Sequence, residues 1–204
     1  PYTYPYYEFI DTYREHYKQF KEIKDFKELN LPAKELTPNP MQQSFIASLR
    51  KIVAANKTKA LLISATGTGK TYASAFALKD QNPHKALFLV HREQIAKQAM
   101  NSYQNVFGKT KTFGLLSGNS KDKDVDYLFA TMQTMAKEEV YSSFDPAIFD
   151  IIVIDEAHRI GARSYQNIMN YFKPKFWLGM SASPERSDDF DVYNAFDHNI
   201  AYEI

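Results

Sequence analysis

The segment Ala65-Thr66-Gly67-Thr68-Gly69-Lys70-Thr71 follows a short apolar run, Ala60 to Ile63, and opens a segment with a helical pattern. Glycines at such a junction let backbone N–H groups approach phosphate oxygens closely, and the helix N-terminus adds partial positive charge. Lys70 is placed to reach the β- and γ-phosphates of a nucleotide, and Thr71 to offer its hydroxyl to Mg²⁺. The strict pattern has glycine where this chain has Ser64, and the alternative is a glycine-rich turn without a ligand. We predict a nucleotide-binding loop that uses Thr66, Gly67, Thr68, Gly69, Lys70 and Thr71.

A second motif, a pair of adjacent carboxylates, directly follows one of the longest apolar runs of the chain. Ile151 to Ile154 leads directly into Asp155 and Glu156. Ligands of open α/β sheets sit at the carboxyl ends of strands, which is where both carboxylates fall. In a chain without a phosphate loop, an Asp-Glu pair after a strand is more often a helix N-cap in a solvated loop. Beside a phosphate loop, Asp155 is predicted to bind Mg²⁺, largely through water, and Glu156 to orient and deprotonate an attacking water.

The fold class is predicted from short apolar runs that alternate with helical patterns such as Glu93 to Phe107. Strands that are apolar on both sides indicate a mostly parallel sheet with helices on both faces. A polar stretch from Ser117 to Asp126 predicts a solvated loop. The predicted strands are Ala60–Ile63, Ala86–Val90, Thr112–Leu116, Tyr127–Ala130, Ile151–Ile154 and Phe176–Met180.

Composition narrows the function only slightly. The net charge is +1, from 25 basic and 24 acidic residues, so a global basic surface does not point to nucleic acid. The chain has no cysteine, which excludes disulfides and thiolate metal sites and fits the cytoplasm. Its apolar runs are too short for a bilayer, so no membrane association is expected. Because the first residue is Pro1 rather than Met, we expect a longer parent chain.

The N-terminal region has a pattern of its own. Residues 6 to 30 carry apolar side chains at helical spacing, and residues 31 to 40 contain three prolines. We predict a helical extension and linker over residues 1–37, followed by the nucleotide-binding domain over residues 38–204. Asn39 and Pro40 predict the start of a further helix, with Asn39 as N-cap and proline in its first turn.

Several motifs in a characteristic order resemble the superfamily 2 helicases, and more narrowly the DEAH-box branch that includes restriction-enzyme motor subunits. The resemblance covers about residues 38 to 204. Its segments, which correspond to motifs I, Ia, Ib, II and III, are Ala65–Thr71, Val90–Gln98, Ala130–Thr134, Asp155–His158 and Ser181–Ser183.

The resemblance implies a RecA-like P-loop NTPase fold, the first of two such lobes, with ATP and Mg²⁺ bound in the cleft between them. It also implies roles for residues that the patterns alone leave undecided. Gln42 would read the adenine, although Asn39 and Met41 depart from the family pattern around it. Nucleic-acid contacts would come from Arg92, Thr131 and Gln133, and coupling between the two sites from His158, Ser181 and Ser183.

The expected function is therefore an ATP-dependent motor on nucleic acid, with DNA favoured over RNA because of the restriction-motor resemblance. Two alternatives remain: an RNA helicase or RNA sensor, and a nucleotide-dependent binding module without processive hydrolysis. The chain ends shortly after motif III, whereas the family places a second lobe and its arginines further on. We therefore expect these residues alone to bind nucleotide but to be almost inactive.

Overall fold

A computed structural model describes residues 36–183 and 191–203. The predicted helix within residues 6 to 30 and most of the predicted linker lie outside the described residues. The boundary between residues 37 and 38 remains a prediction, as does the extension before it. No helix in the described ranges is long and apolar enough to cross a membrane.

The first described helix, α1 (Pro40–Ala54), begins as the sequence predicts. The Asn39 side chain accepts a hydrogen bond from the Gln42 amide, and the Gln42 side chain accepts one from the Asn39 amide, each at 2.9 Å. This reciprocal capping box satisfies amides that a helix start leaves unpaired. Phe45 and Leu49 on one face of α1 are buried in the core.

Strands and helices then alternate along the chain. The strands are β1 (Lys59–Ile63), β2 (Ala86–Val90), β3 (Phe113–Leu116), β4 (Tyr127–Thr131), β5 (Ile151–Ile154), β6 (Phe176–Ser181) and β7 (Ile200–Glu203). The helices after α1 are α2 (Lys70–Gln81), α3 (Glu93–Phe107), α4 (Met132–Met135), α5 (Glu138–Tyr141), α6 (Arg163–Tyr171) and α7 (Val192–Ala195), with a 3₁₀ turn at Ala157–Arg159.

The seven strands of the described residues belong to one sheet, in the order β3-β4-β2-β5-β6-β1-β7, and their pairings with one another are all parallel. Parallel neighbours need crossover connections, which the intervening helices supply. The carboxyl ends of β1, β5 and β6 therefore meet at one edge of the sheet. That edge brings the two predicted motifs together.

Alternate residues of each strand enter two separate apolar clusters, one on each face of the sheet. In β2, for example, Phe88 and Val90 belong to the cluster under α1, α2 and α3, whereas Leu87 and Leu89 belong to the opposite one. This alternation follows from the two-residue period of a strand. It confirms the predicted parallel sheet with both faces covered.

Two details of the fold differ from the sequence prediction. Strand β7 was not predicted, because it is a short edge strand in which only Ala201 is buried. The stretch from Ser117 to Asp126 is mostly exposed, as expected of a loop, but Ser117 itself is buried. The loop folds back on β3, where Lys121 forms an isolated bridge with Leu116 and the Asp122 side chain accepts from the Leu115 amide.

Candidate nucleotide and nucleic-acid site

The loop between β1 and α2 has the backbone geometry that phosphate binding requires. Gly67 and Gly69 have φ values of +83° and +88°, in the left-handed region that other residues avoid. A Cβ on Gly69 would also come within 3.0 Å of the Gln42 side-chain nitrogen. The loop leads directly into α2 (Lys70–Gln81), and the first amides of a helix have no partner within the helix. These free donors at a helix N-terminus suit an anionic ligand.

Side chains of the loop stabilise its shape. The Lys70 ammonium donates to the carbonyl oxygens of Ser64 at 2.6 Å and Ala65 at 2.8 Å. The Ser64 hydroxyl, which is fully buried, donates to Thr68 at 2.8 Å, and Thr68 donates to the Ala65 carbonyl. Ser64, the departure from the strict glycine pattern, thus contributes a contact that glycine would lack. Burial lowers the pKa of Lys70, and the nearby Asp155 charge opposes this shift.

Asp155 stands at the end of β5, where its amide donates to the Leu89 carbonyl at 2.9 Å. Its carboxylate accepts from the Glu156 amide at 3.0 Å. Burial raises the pKa of Asp155, and the Glu156 charge adds to this, whereas the Glu156 amide and Lys70 act in the opposite direction. Since burial disfavours the charged form of this carboxylate, a bound cation would stabilise it.

The donor set fits Mg²⁺ rather than a metal held wholly by protein. Asp155 and the Thr71 hydroxyl are the predicted ligands, and the described residues contain no cluster of three or more His, Cys, Asp or Glu that could hold a metal. Mg²⁺ usually keeps several waters and takes only one or two carboxylates, together with phosphate oxygens.

Glu156 adopts an unusual backbone conformation. Its φ of 53° and ψ of 49° lie in the left-handed region, which costs a non-glycine residue roughly 1–2 kcal/mol. Such strain is often found at functional sites, where surrounding contacts maintain it. The Glu156 carboxylate forms an ion pair with Arg159, 2.8 Å from Nε to Oε2.

The three residues with a predicted coupling role are linked through the Ser181 hydroxyl. Nδ1 of His158 is 3.1 Å from the Ser181 hydroxyl. That hydroxyl donates to the Ser183 carbonyl at 2.5 Å. Because β6 lies between β5 and β1, this chain of contacts stands between the acidic motif and the phosphate loop.

Gln42 lies against the phosphate loop rather than on an exposed helix turn. Its side chain is 5% exposed, and its Nε2 donates to the Gly69 carbonyl at 3.3 Å. Together with the capping contact, this occupies one lone pair and one N–H of the amide. One acceptor and one donor site of the amide have no hydrogen bond within the described residues.

The three predicted nucleic-acid residues line a groove of about 450 Å³ at the same edge of the sheet. Arg92 and Gln133 are exposed, whereas Thr131 is buried and donates to the Thr134 hydroxyl at 2.9 Å. A second groove of about 580 Å³ shares His91, Gln133 and Lys137 with the first, and reaches Arg159.

Lys137 and Arg159 were not assigned to this surface from the sequence. Lys137 belongs to no motif, and nothing in the pattern distinguishes it from other lysines. Arg159 directly follows motif II, and this position is the only signal that could have drawn attention to it. Only the fold shows that both line the groove that Gln133 also lines.

The parallel sheet, the glycine loop and the acidic pair define a RecA-like P-loop NTPase lobe. The family model of the Type III restriction enzyme res subunit, ResIII, matches residues 35–186. The chain belongs to this family, which confirms the resemblance drawn from the motifs.

Individual relatives agree with this assignment. The Type I restriction enzyme EcoAI endonuclease subunit of Escherichia coli is 30% identical over 172 residues, which are 78% of this chain and 21% of that subunit. This chain thus spans about a fifth of the length of that relative.

Two solved structures share the fold. One is a nuclease-deletion mutant of the Type ISP restriction-modification enzyme LlaGI in complex with a DNA substrate mimic, with a TM-score of 0.62 and 22% identity. The match covers 83% of this chain and 20% of that one. The other is the Pyrococcus furiosus Hef helicase domain, also with a TM-score of 0.62 and 22% identity, over 78% of this chain and 37% of that one.

Proposed function

We propose that this chain is the nucleotide-binding motor lobe of an ATP-dependent helicase or translocase that acts on nucleic acid. The observation that carries the proposal is the meeting of two motifs at one edge of the sheet. Lys70 and Asp155, which are distant in sequence, are close enough for each charge to influence the pKa of the other. Family membership supports the use of a nucleotide.

The proposed reaction is hydrolysis of ATP at its γ-phosphate. A water oxygen attacks the γ-phosphorus, the bond to the β–γ bridging oxygen breaks, and ADP leaves. Glu156 accepts the proton of the attacking water, and Lys70 offsets the negative charge that develops on the phosphoryl oxygens. Mg²⁺, held by Thr71 and Asp155, would neutralise charge on the β- and γ-phosphate oxygens. Gln42 would contact the adenine with its remaining donor and acceptor.

Nucleic acid would follow the groove that holds Arg92, Thr131 and Gln133. An exposed guanidinium and amide beside hydroxyls suit contacts to a phosphate backbone, which position a strand without reading its sequence. His158, Ser181 and Ser183 would link this groove to the state of the nucleotide. We favour DNA over RNA, since the relatives include restriction enzymes and one was solved with a DNA substrate mimic.

The whole protein is proposed to contain a second RecA-like lobe that closes on the nucleotide. Movement along a strand would then follow from opening and closing of the cleft. Residues 1–37 would form an extension to the lobe over residues 38–204, and the protein would act in the cytoplasm.

The decisive experiment replaces Glu156 by glutamine in the full-length protein. Glu156→Gln keeps the size of the side chain and removes the base, so turnover should fall by about 10²–10⁴-fold while ATP binding persists. Glu139→Gln, at an exposed position in α5, is the matched control and should behave as the wild type.

Three outcomes would correct the proposal. Turnover that survives in Glu156→Gln would show that another group activates the water. ATP binding without any hydrolysis by the wild type would favour a nucleotide-dependent binding module. Stimulation by RNA but not by DNA strands of the same length would favour an RNA helicase or sensor.

A further inference from the structure

Arg159 lies where the nucleotide site and the nucleic-acid groove meet. On one side its Nε is 2.8 Å from the Glu156 carboxylate. On the other, the same residue lines the groove of about 580 Å³ that Gln133 and Lys137 also line. The short 3₁₀ turn explains this arrangement, because the Arg159 amide donates to the Glu156 carbonyl at 2.9 Å and sets the two side chains on one face.

The contact between the two side chains is readily exchanged. Both are about two-fifths exposed, and ion pairs of such exposure are weak. The Nε atom itself is buried, and its N–H is not aligned on the carboxylate as in a good hydrogen bond. Within residues 36–183 and 191–203, Glu156 is the only recorded side-chain partner of this guanidinium. Most of its five donors thus remain available to another acceptor.

A nucleic-acid phosphate in the groove would be such an acceptor. The planar guanidinium binds phosphate through paired hydrogen bonds, with a geometry at least as favourable as its present contact with Glu156. Lys137 and Arg92 add positive charge along the adjoining grooves. Because the guanidinium is one rigid plane, a phosphate that binds its free Nη groups and draws them into the groove would also move Nε away from the Glu156 carboxylate.

We propose that Arg159 is a positioning residue that holds Glu156 in an ion pair until a nucleic-acid phosphate draws the guanidinium away. This inference rests on the proposed function and deepens it, because it names a physical link between nucleic-acid binding and ATP hydrolysis. Without nucleic acid, Glu156 is engaged with Arg159. With nucleic acid bound, Glu156 is released to accept the proton of the attacking water.

The test compares ATP turnover of the full-length protein with and without single-stranded DNA. Arg159→Ala should raise the DNA-free rate, and the ratio of stimulated to DNA-free rate should fall by about 5-fold or more, the lower range of typical coupling between sites. Arg159→Lys keeps a charge for the ion pair and should restore part of the low DNA-free rate. Arg163→Ala, at an exposed arginine one turn further on, should retain the wild-type ratio.

Loss of structure would lower both rates together, whereas the proposal requires a change in their ratio. An Arg159→Ala protein with both rates lowered in proportion, or with an unchanged ratio, would overturn the proposal and leave the proposed function intact. A wild-type protein without any ATP turnover would instead refute the proposed function, and this inference with it.

Discussion

Strand β5 has an aspartate at each end, and the two aspartates have opposite surroundings. At the amino end, Asp150 accepts from the His84 and Lys85 amides at 2.7 and 3.4 Å and pairs with Lys175 at 2.8 Å. Burial alone would raise the pKa of Asp150, but Lys175 and the two amides together hold it below the ordinary value. At the carboxyl end, burial dominates and the pKa of Asp155 is raised.

The contrast extends to the two edges of the sheet. The amino edge holds a cavity of about 470 Å³, partly apolar, beside the Asp150–Lys175 pair. The carboxyl edge holds two grooves of about 450 and 580 Å³, the Glu156 carboxylate, and the glycine loop at the N-terminus of α2. Titratable groups with raised or lowered pKa values and few hydrogen-bond partners are typical of functional sites. Charged groups whose hydrogen bonds are all made more often stabilise a fold. Cavity volume does not distinguish the two edges, whereas the surroundings of the two aspartates do.

The largest effect expected at the carboxyl edge is one of rate. We expect these 204 residues to bind ATP but to hydrolyse it about 10³–10⁵-fold more slowly than a full-length protein with the proposed second lobe, since an arginine finger from such a lobe has that effect in related systems. Steady-state turnover of both proteins, with and without single-stranded DNA, measures the difference. Strong DNA-stimulated hydrolysis by the 204 residues would show that they complete the site themselves.

A smaller effect distinguishes the two edges by nucleotide affinity. Lys70→Ala should weaken ATP binding about 10- to 100-fold, because a charge-assisted hydrogen bond contributes about 1.5–3 kcal/mol. Lys57→Ala, beside the amino-edge cavity, should leave the affinity unchanged. Calorimetry on both variants checks this, and the reverse pattern would assign the nucleotide to the amino edge.

The smallest effect concerns stability. Asp150→Asn should lower the free energy of unfolding by about 1–3 kcal/mol at neutral pH, since a charged acceptor of several hydrogen bonds is lost. Asp155→Asn should leave stability equal or raise it, because ionised Asp155 is disfavoured by burial. Thermal unfolding measures both effects, since each kcal/mol of unfolding free energy shifts the melting temperature by about 2–4 °C in a domain of this size.

The dependence on pH gives this last comparison a second test. The folded pKa of Asp150 is depressed, so its contribution is present above the unfolded value, near 4, and is lost as the pH falls through the folded pKa. The folded pKa of Asp155 is raised, so its ionised form lowers stability as the pH rises above the unfolded value. The wild type and Asp150→Asn should therefore converge in acid. A stability difference that persists there would contradict the electrostatic explanation.

Much of the fold could be predicted because its signals are local. The six predicted strands are apolar runs whose bounds differ from the observed ones by at most one residue, and α3 spans the predicted range. Strand β7 was missed because an edge strand, exposed on one side, needs no apolar run. Ser117 and Gln42 are buried polar residues whose side chains form hydrogen bonds. The spacing of apolar residues in the sequence cannot predict that a polar residue is buried in this way.

The sequence by itself determined the phosphate loop, the acidic pair and the family, because each depends on residues adjacent in the chain. The tertiary structure alone decided how these pieces meet. Parallel pairing inserts β6 between β5 and β1, and so brings Lys70 near Asp155 and His158 near Ser181. It also placed Arg159, which contacts Glu156 within one local turn, beside the groove that Gln133 and Lys137 line. Such relations depend on strand order and side-chain packing between distant segments, which no local pattern encodes.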